Sequence, residues 1–249
     1  MFRDLGIWLN HFEYHAEHPR RVPAGLGDRL EPRERKLIER SIATFQLGEV
    51  SEGTALVRAT RRFADTYDAK PLTRIMELFV REEQRHGTLL HEFMAHHGLP
   101  PKRTDWTDFI FWCLRRIGGL EFRLHIFITA ELIASVYYRA LEAATGCQRL
   151  KILCRTLVAD ELAHIGLESQ LLLTLRARKS AVGKAAARLL HRAFFTATAG
   201  IVYLTHRPVL RTAGYNINSF LRVCARQYAF YLEPPVRRRE RDPRPFPRA

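Results

Sequence analysis

The stretch VADELAH at residues 158–164 decides how this chain folds, because it places Glu161 and His164 three residues apart in a long amphipathic pattern. Glu83 and His86 repeat the same Glu-x-x-His spacing earlier in the chain. Residues three apart on a helix share a face, so each pair can point at one spot. One Glu-x-x-His occurs by chance in many chains. Two of them, each on the apolar stripe of its own helix, form a specific signal.

Two further glutamates, Glu49 and Glu131, also fall on apolar helical stripes. Glu131 lies in the middle of a nearly apolar run at 124–138, where an unpaired carboxylate would cost several kcal/mol, so it needs a cation or a proton. Glu52, one turn beyond Glu49, could compete for its role. We favour Glu49 because it lies at the centre of its stripe.

Four carboxylates facing one another in a core would repel strongly, whereas two divalent cations would balance their charge. Glu from two helices with Glu-x-x-His from two others is the ligand set of di-iron and di-manganese carboxylate bundles. Asp160 could accept the second ring N–H of a coordinated histidine, which we expect to be His86, and Glu168 could lie just outside the ligands. The predicted metal ligands are Glu49, Glu83, His86, Glu131, Glu161 and His164.

Apolar periodicity predicts an all-α chain built on a ferritin-like four-helix bundle, in which an up-down pair of helices, one long crossover and a second pair follow one another. The predicted helices cover about 32–66, 71–98, 120–144, 148–179, 181–205 and 216–232. The predicted regions are an irregular N-terminal segment at 1–31, the di-metal bundle at 32–179, a C-terminal helical extension at 180–233 and a basic disordered tail at 234–249.

Three finer expectations concern the surroundings of the motifs. Glu82 lies about 100° around its helix from Glu83 and is predicted to be more exposed. The segment 99–119 is too long for a tight helix–helix turn and is rich in aromatic residues, which predicts a short packed helix. The histidines of the lead segment are more typical of surface or capping residues than of metal ligands; they are His11, His15 and His18.

The composition limits the partners. The chain has 249 residues, is 47% hydrophobic and carries a formal charge of +14. Such a charge favours nucleic acid, an anionic membrane surface or an acidic carrier protein, and a basic protein without such a partner fits equally well. No apolar signal core is present near the N-terminus, so we expect a cytoplasmic protein. Its cysteines lack paired spacing and are expected to be reduced core residues; they are Cys113, Cys147, Cys154 and Cys224.

The motifs resemble those of known di-iron proteins. The stretch EEQRHGTLL at 82–90 looks like the second-helix motif of the acyl-carrier-protein desaturases, and LCRTLVADELAH at 153–164 is similar to their fourth-helix motif. LGE at 47–49 resembles the first-ligand helix of rubrerythrins and aldehyde-deformylating oxygenases. The resemblance covers roughly residues 34–178 and implies the ferritin-like di-iron superfamily. This chain lacks the Arg often found before the second His and has no Cys-x-x-Cys rubredoxin module.

By position, the resemblance implies that Glu83 and Glu161 bridge two Fe ions, or a Mn/Fe pair. Glu49 and Glu131 would be terminal ligands, and each histidine would bind one metal. The implied activity is desaturase-like or oxygenase-like oxidation of an apolar substrate with O2.

The implied partners are O2 or peroxide, an apolar acyl chain on an acidic carrier protein, an external electron donor and a second copy of the chain; no DNA is expected. Three other functions remain open at this point. They are a ferroxidase or peroxide-scavenging protein, a tRNA-modifying hydroxylase, and a metal-binding bundle without turnover.

Overall fold

The computed structural model describes residues 5–23, 27–50, 53–102 and 118–233. All regular secondary structure within these residues is helical, which confirms the all-α prediction. The helices are α1 (Leu5–Glu17), α2 (Pro32–Glu49), α3 (Thr54–Tyr67), α4 (Pro71–His96), α5 (Leu120–Ala144), α6 (Gln148–Ala177), α7 (Ala181–Thr205), α8 (Arg207–Thr212) and α9 (Ile217–Leu232).

The two motif-bearing helices begin and end near the positions that the sequence predicts. Helix α4 starts at Pro71, whose missing N–H costs nothing in a first turn. It ends before Gly98, which has a φ of +60° and allows the N–H of Leu99 to donate to the carbonyl of Met94 at 2.8 Å. Helix α6 follows Cys147 and runs for 30 residues.

The prediction of a single helix at 32–66 is wrong, because the chain forms two helices, α2 and α3, with a break after Glu49. Gly53 explains the break physically. A Cβ atom at this position would come within 2.3 Å of Cγ2 of Val80, so the turn packs directly against α4. Both halves are amphipathic, and periodicity alone does not show that they belong to separate helices. Glu49 thus becomes the last residue of α2.

The lead segment also differs from the irregular structure expected for 1–31, since α1 occupies much of it. Trp8 and Phe12 are each 1% exposed, and α1 packs against α4. The indole N–H of Trp8 donates to the side-chain oxygen of Gln170 on α6 at 2.6 Å. An apolar stripe of only a few residues is a weak sequence signal, and the docking partners of α1 lie far along the chain.

Helix α5 runs antiparallel to α6 along its length. Arg155 pairs with Glu142 at 2.6 Å at one end, and Lys179 pairs with Glu121 at 2.9 Å at the other. Among the described residues, α5 alone is long and apolar enough to cross a membrane, but 83% of its most apolar window is buried against other helices. Such burial is typical of the central helix of a bundle.

A polar layer divides the core into two apolar clusters. Along α4, buried apolar residues at 72–80 belong to one cluster and those at 90–94 to the other. Along α6, residues at 150–157 and 163–172 divide in the same way. The Glu-x-x-His motifs lie between the clusters on both helices, so the fold brings their charged side chains to one level.

The C-terminal helices cover one side of this core. Helix α7 buries His191, Phe195 and Tyr203, while Leu189 and Leu190 on its other face are about 70% exposed (70% and 71%). The short helix α8, which has Pro208 in its first turn, was not predicted. Cys147, Cys154 and Cys224 are buried free thiols, as expected.

Several sequence-based predictions fall outside the described residues. They concern Glu52, Cys113, most of the segment 99–119 and the tail at 234–249.

Candidate metal centre

The structure brings all six predicted metal ligands together in the polar layer. His86 stands at one end of the cluster. Its Nδ1 lies 3.5 Å from Oε1 of Glu83, 3.6 Å from Oε1 of Glu161 and 3.9 Å from Oε2 of Glu49. Helices α2, α4 and α6 therefore all contribute to this half of the site.

His164 forms the other half in the same way. Its Nδ1 lies 2.8 Å from Oε1 of Glu83, 3.5 Å from Oε2 of Glu161 and 4.0 Å from Oε2 of Glu131. The two carboxylate oxygens of Glu161 thus face different histidines, whose ring centroids are 5.6 Å apart. Glu83 and Glu161 lie between the imidazoles, while Glu49 accompanies one ring and Glu131 the other.

The atoms that point into this space have no hydrogen bond of good geometry, although Nδ1 of His164 and Oε1 of Glu83 lie 2.8 Å apart as an ion pair. They include both carboxylate oxygens of Glu161, Oε1 of Glu83 and Nδ1 of each histidine. Glu161 and both imidazoles are 0% exposed, so solvent does not satisfy these atoms. Buried polar groups in proteins are nearly always paired, and a concentration of orphaned donor atoms at one point calls for an explanation. A bound cation that accepts all of these lone pairs supplies one.

The outward face of each ring, by contrast, has a carboxylate partner. Nε2 of His86 lies 3.2 Å from Oδ2 of Asp160, and Nε2 of His164 lies 3.0 Å from Oε2 of Glu82. A carboxylate on the far nitrogen fixes the ring so that Nδ1 presents its lone pair inward. This arrangement is characteristic of metal-binding histidines.

The prediction that Glu82 is more exposed than Glu83 is wrong. Glu82 is 8% exposed and contacts His164, while the side chain of Glu83 is 13% exposed. Helix α1 explains the difference because it covers the face of α4 that carries Glu82, with Nδ1 of His15 3.7 Å from Oε1. His15 is thus half-buried rather than a surface residue, whereas His18 is exposed.

Arginines neutralise the outer carboxylates. Asp160 accepts hydrogen bonds from Nε of Arg20 at 2.8 Å and from the guanidinium of Arg85. Arg85 also lies 3.6 Å from Glu82 and donates to the backbone carbonyl of Arg20 at 3.0 Å. Burial acts to raise the pKa of Asp160, but the hydrogen bond and the charge of His86, with a smaller contribution from Arg85, hold that pKa below its usual range. The outer carboxylates remain ionised and can orient the imidazoles.

Among the inner carboxylates, the ionised form of Glu49 is disfavoured when no cation is present, whereas His164 holds the pKa of Glu83 below its usual range against burial. Burial, reinforced by the charges of Glu83 and Glu161, raises the pKa of Glu49 well above its ordinary value. The hydroxyl of Tyr138 donates to Oε1 of Glu49 and leaves Oε2 turned toward His86.

When no metal is bound, protons on the two imidazoles can supply positive charge near the inner carboxylates. Burial alone would lower the pKa of His164, but the carboxylate of Glu83 and its neighbours raise it well above 6.5. The pKa of His86 is raised in the same way, against burial, by Asp160 and the inner glutamates. In the metal-free chain the surrounding carboxylates therefore favour the protonated form of both rings, and each ring must lose a proton before its Nδ1 can bind a cation.

Glu82, Arg85 and Tyr138 are the contributors that sequence reasoning missed. Glu82 had a detectable signal, because it precedes Glu83 as Asp160 precedes Glu161, and only the second of these was given an outer role. Arg85 and Tyr138 had no such signal, since an Arg beside a motif and a Tyr in an apolar run are both common. Glu168, which was predicted to lie just outside the ligands, is 0% exposed on α6, one turn beyond His164; its role stays a prediction.

Comparisons with known proteins add no assignment. No protein-family model matches this chain, and neither the curated proteins nor the solved structures contain a significant match.

Proposed function

We propose that this chain binds two iron ions, or one manganese and one iron, and uses them to activate O2 for oxidation of an apolar substrate. The supporting observation is the set of buried Glu and His donor atoms that face one point without hydrogen bonds. Iron accepts mixed carboxylate and imidazole ligands, and such sites with open positions support O2 chemistry.

A ferritin-like bundle of α2, α4, α5 and α6 is part of the same proposal. Helices α2 and α5 each supply one glutamate, and α4 and α6 each supply Glu-x-x-His. This distribution of ligands over four helices is that of the di-metal carboxylate bundles. The long connection between α4 and α5 fits the single crossover of that topology.

Charge balance supports a pair of divalent ions. Glu49, Glu83, Glu131 and Glu161 carry four negative charges when ionised, and two divalent cations carry four positive ones. The carboxylates outside the ligand set pair with Arg20, Arg85 and histidine nitrogens instead. Zinc–thiolate or iron–sulfur chemistry does not suit this donor set, which contains no sulfur.

The residues around the centre have definable roles. Glu83 and Glu161 would bridge the two ions, and Glu49 and Glu131 would each hold one from its outer side. Phe12 and Phe79 pack against the His164 ring, with centroids 5.9 and 4.4 Å away, and exclude water from that half of the site. The charge of +14 favours delivery of the substrate by an acidic carrier protein.

Anaerobic loading with Fe(II) followed by exposure to O2 tests the proposal. We expect about two irons per chain, a Mössbauer spectrum of coupled ferric ions and a new absorption in the near ultraviolet after oxidation. Binding of two ions without any reaction with O2 would leave a metal-binding bundle and remove the oxidase function. A stoichiometry near zero would remove both.

Metal binding should release protons, since each imidazole must present a lone pair. The pKa values of His86 and His164 are raised in the metal-free chain, so protons compete with the metal at neutral pH. Mn(II) affinity is therefore expected to increase as the pH rises above 6.5. The raised values also mean that protonation stabilises the metal-free fold below pH 6.5, and that this stability is lost as the pH rises through the folded pKa values.

Calorimetry in two buffers of different ionisation enthalpy measures this proton release. We expect roughly two protons per chain loaded with two ions. Equal apparent enthalpies in both buffers would show that the rings are already deprotonated.

A further inference from the structure

A second group of metal-binding side chains lies at the opposite end of α4 from its proline start. Asp28 precedes α2, His97 follows α4 and Cys147 precedes α6. The cluster is roughly 16 Å along α4 from His86, at about 1.5 Å per residue, and shares no residue with the carboxylate centre.

The donor atoms of this cluster are already close. One carboxylate oxygen of Asp28, a ring nitrogen of His97 and Sγ of Cys147 all lie within 4.8 Å of one another. Nε2 of His97 is 3.1 Å from Oδ1 of Asp28. In tetrahedral zinc sites, bonds of about 2.0 Å to nitrogen and about 2.3 Å to sulfur place the ligand atoms roughly 3.3–3.8 Å apart. Small side-chain movements would therefore bring the three ligand atoms to the distances found around tetrahedral zinc.

We propose that Asp28, His97 and Cys147 form a second metal site that takes a zinc-like divalent ion. The thiolate and the carboxylate balance the two positive charges, and the neutral imidazole completes three protein ligands. Water fills the fourth position. Sulfur distinguishes this site from the carboxylate centre, because thiolate ligands select zinc over the harder cations.

The remaining oxygen of Asp28 is fixed from outside. Oδ2 lies 2.6 Å from Nε2 of His96 and 3.1 Å from Nη1 of Arg149. These contacts orient the carboxylate so that Oδ1 faces His97. Metal ligands are commonly held by such outer partners.

Hydrogen bonds also hold the surrounding backbone in position without a bound ion. The N–H of Gln148 donates to the carbonyl of Gly27 at 3.1 Å, which ties the Asp28 segment to the first turn of α6. The N–H of Gly146 donates to Glu34 of α2 at 3.0 Å. An ion at this place would join the end of α4 to the start of α6, the two helices that carry Glu-x-x-His. Such an ion would fix the spacing of these helices.

Titration of the metal-free, full-length protein with Co(II) tests the proposal. We expect a thiolate-to-cobalt charge-transfer band in the near ultraviolet and tetrahedral d–d bands in the visible, with a final intensity that corresponds to one thiolate-bound Co(II) per chain. The carboxylate centre contains no sulfur, so cobalt bound there does not produce the charge-transfer band. Zn(II) should abolish the band by displacement.

Two cysteine variants locate the site. Cys147→Ser should lose the band, while Cys154→Ser, a buried cysteine seven residues later on α6, should keep it. If Cys147→Ser does not fold, Asp28→Asn serves instead and should weaken Zn(II) binding at least about 10-fold. Absence of the band in the unmodified protein, or its persistence in Cys147→Ser, would show that the cluster is an ion-pair network only.

Discussion

The Glu161→Gln variant is expected to bind fewer than one Mn(II) ion per chain at the carboxylate centre, against about two in the unmodified protein. Glu161 is 0% exposed, and its two oxygens lie 3.6 and 3.5 Å from the Nδ1 atoms of the two histidines. Glutamine keeps the shape but removes one negative charge and one bridging oxygen. Loss of an outer partner typically costs 10- to 100-fold in affinity, so loss of a bridging ligand should cost at least about 100-fold.

Mn(II) binding by equilibrium dialysis or electron paramagnetic resonance measures this effect, and circular dichroism checks that the helices remain. Glu142→Gln is the matched control, since Glu142 is a partly exposed glutamate of α5 that pairs with Arg155 at 2.6 Å. It should retain both ions. Normal binding by Glu161→Gln would mean that the orphaned oxygens of Glu161 do not hold metal.

The second large effect is expected from Phe12→Ala, which should release α1 from the bundle. Phe12 is 1% exposed, and its ring packs against Phe79 and stacks on His164. Truncation of a buried phenylalanine typically costs about 3–5 kcal/mol. A helix of 13 residues is marginal without such packing, so the cost should appear as undocking of α1 rather than as global unfolding. Water would then reach His164 and Glu82.

Trp8 on the same helix reports the undocking. It is 1% exposed in the folded chain, and replacing Trp106 and Trp112 by Phe leaves it as the single tryptophan. In that background, Phe12→Ala should shift its emission to the red, increase its quenching by acrylamide and speed metal loss to a chelator.

The control for this experiment is Tyr14→Ala, which alters a residue that is 60% exposed on the same helix and should change none of these. Unchanged Trp8 emission in Phe12→Ala would show that α1 does not depend on this contact.

Much of the core was accessible from the sequence because the relevant helices are long and strongly periodic. The apolar run around Glu131 and the two Glu-x-x-His pairs predict α4, α5 and α6 with boundaries close to those observed. The six inner side chains could be named because an acid on an apolar stripe is conspicuous. The distances between these side chains, such as the 2.8 Å between Nδ1 of His164 and Oε1 of Glu83, could not be predicted without the three-dimensional structure.

The failures have a common physical cause. Glu82 lies off the main stripe of α4, and its burial depends on α1, which docks from a distant part of the chain. The break after Glu49 depends on the contact between Gly53 and Val80, which periodicity does not encode. In both cases a contact between residues far apart in the sequence determines the structure, and the local sequence pattern does not predict that contact.

The crossed arrangement of outer carboxylates makes the two motif helices interdependent. Asp160 on α6 orients a ring on α4, and Glu82 on α4 orients a ring on α6. A substitution in either motif therefore disturbs the opposite imidazole as well as its own. Double-mutant cycles across the two helices should show strong epistasis, and a change at one motif would be tolerated in evolution only together with a compensating change at the other.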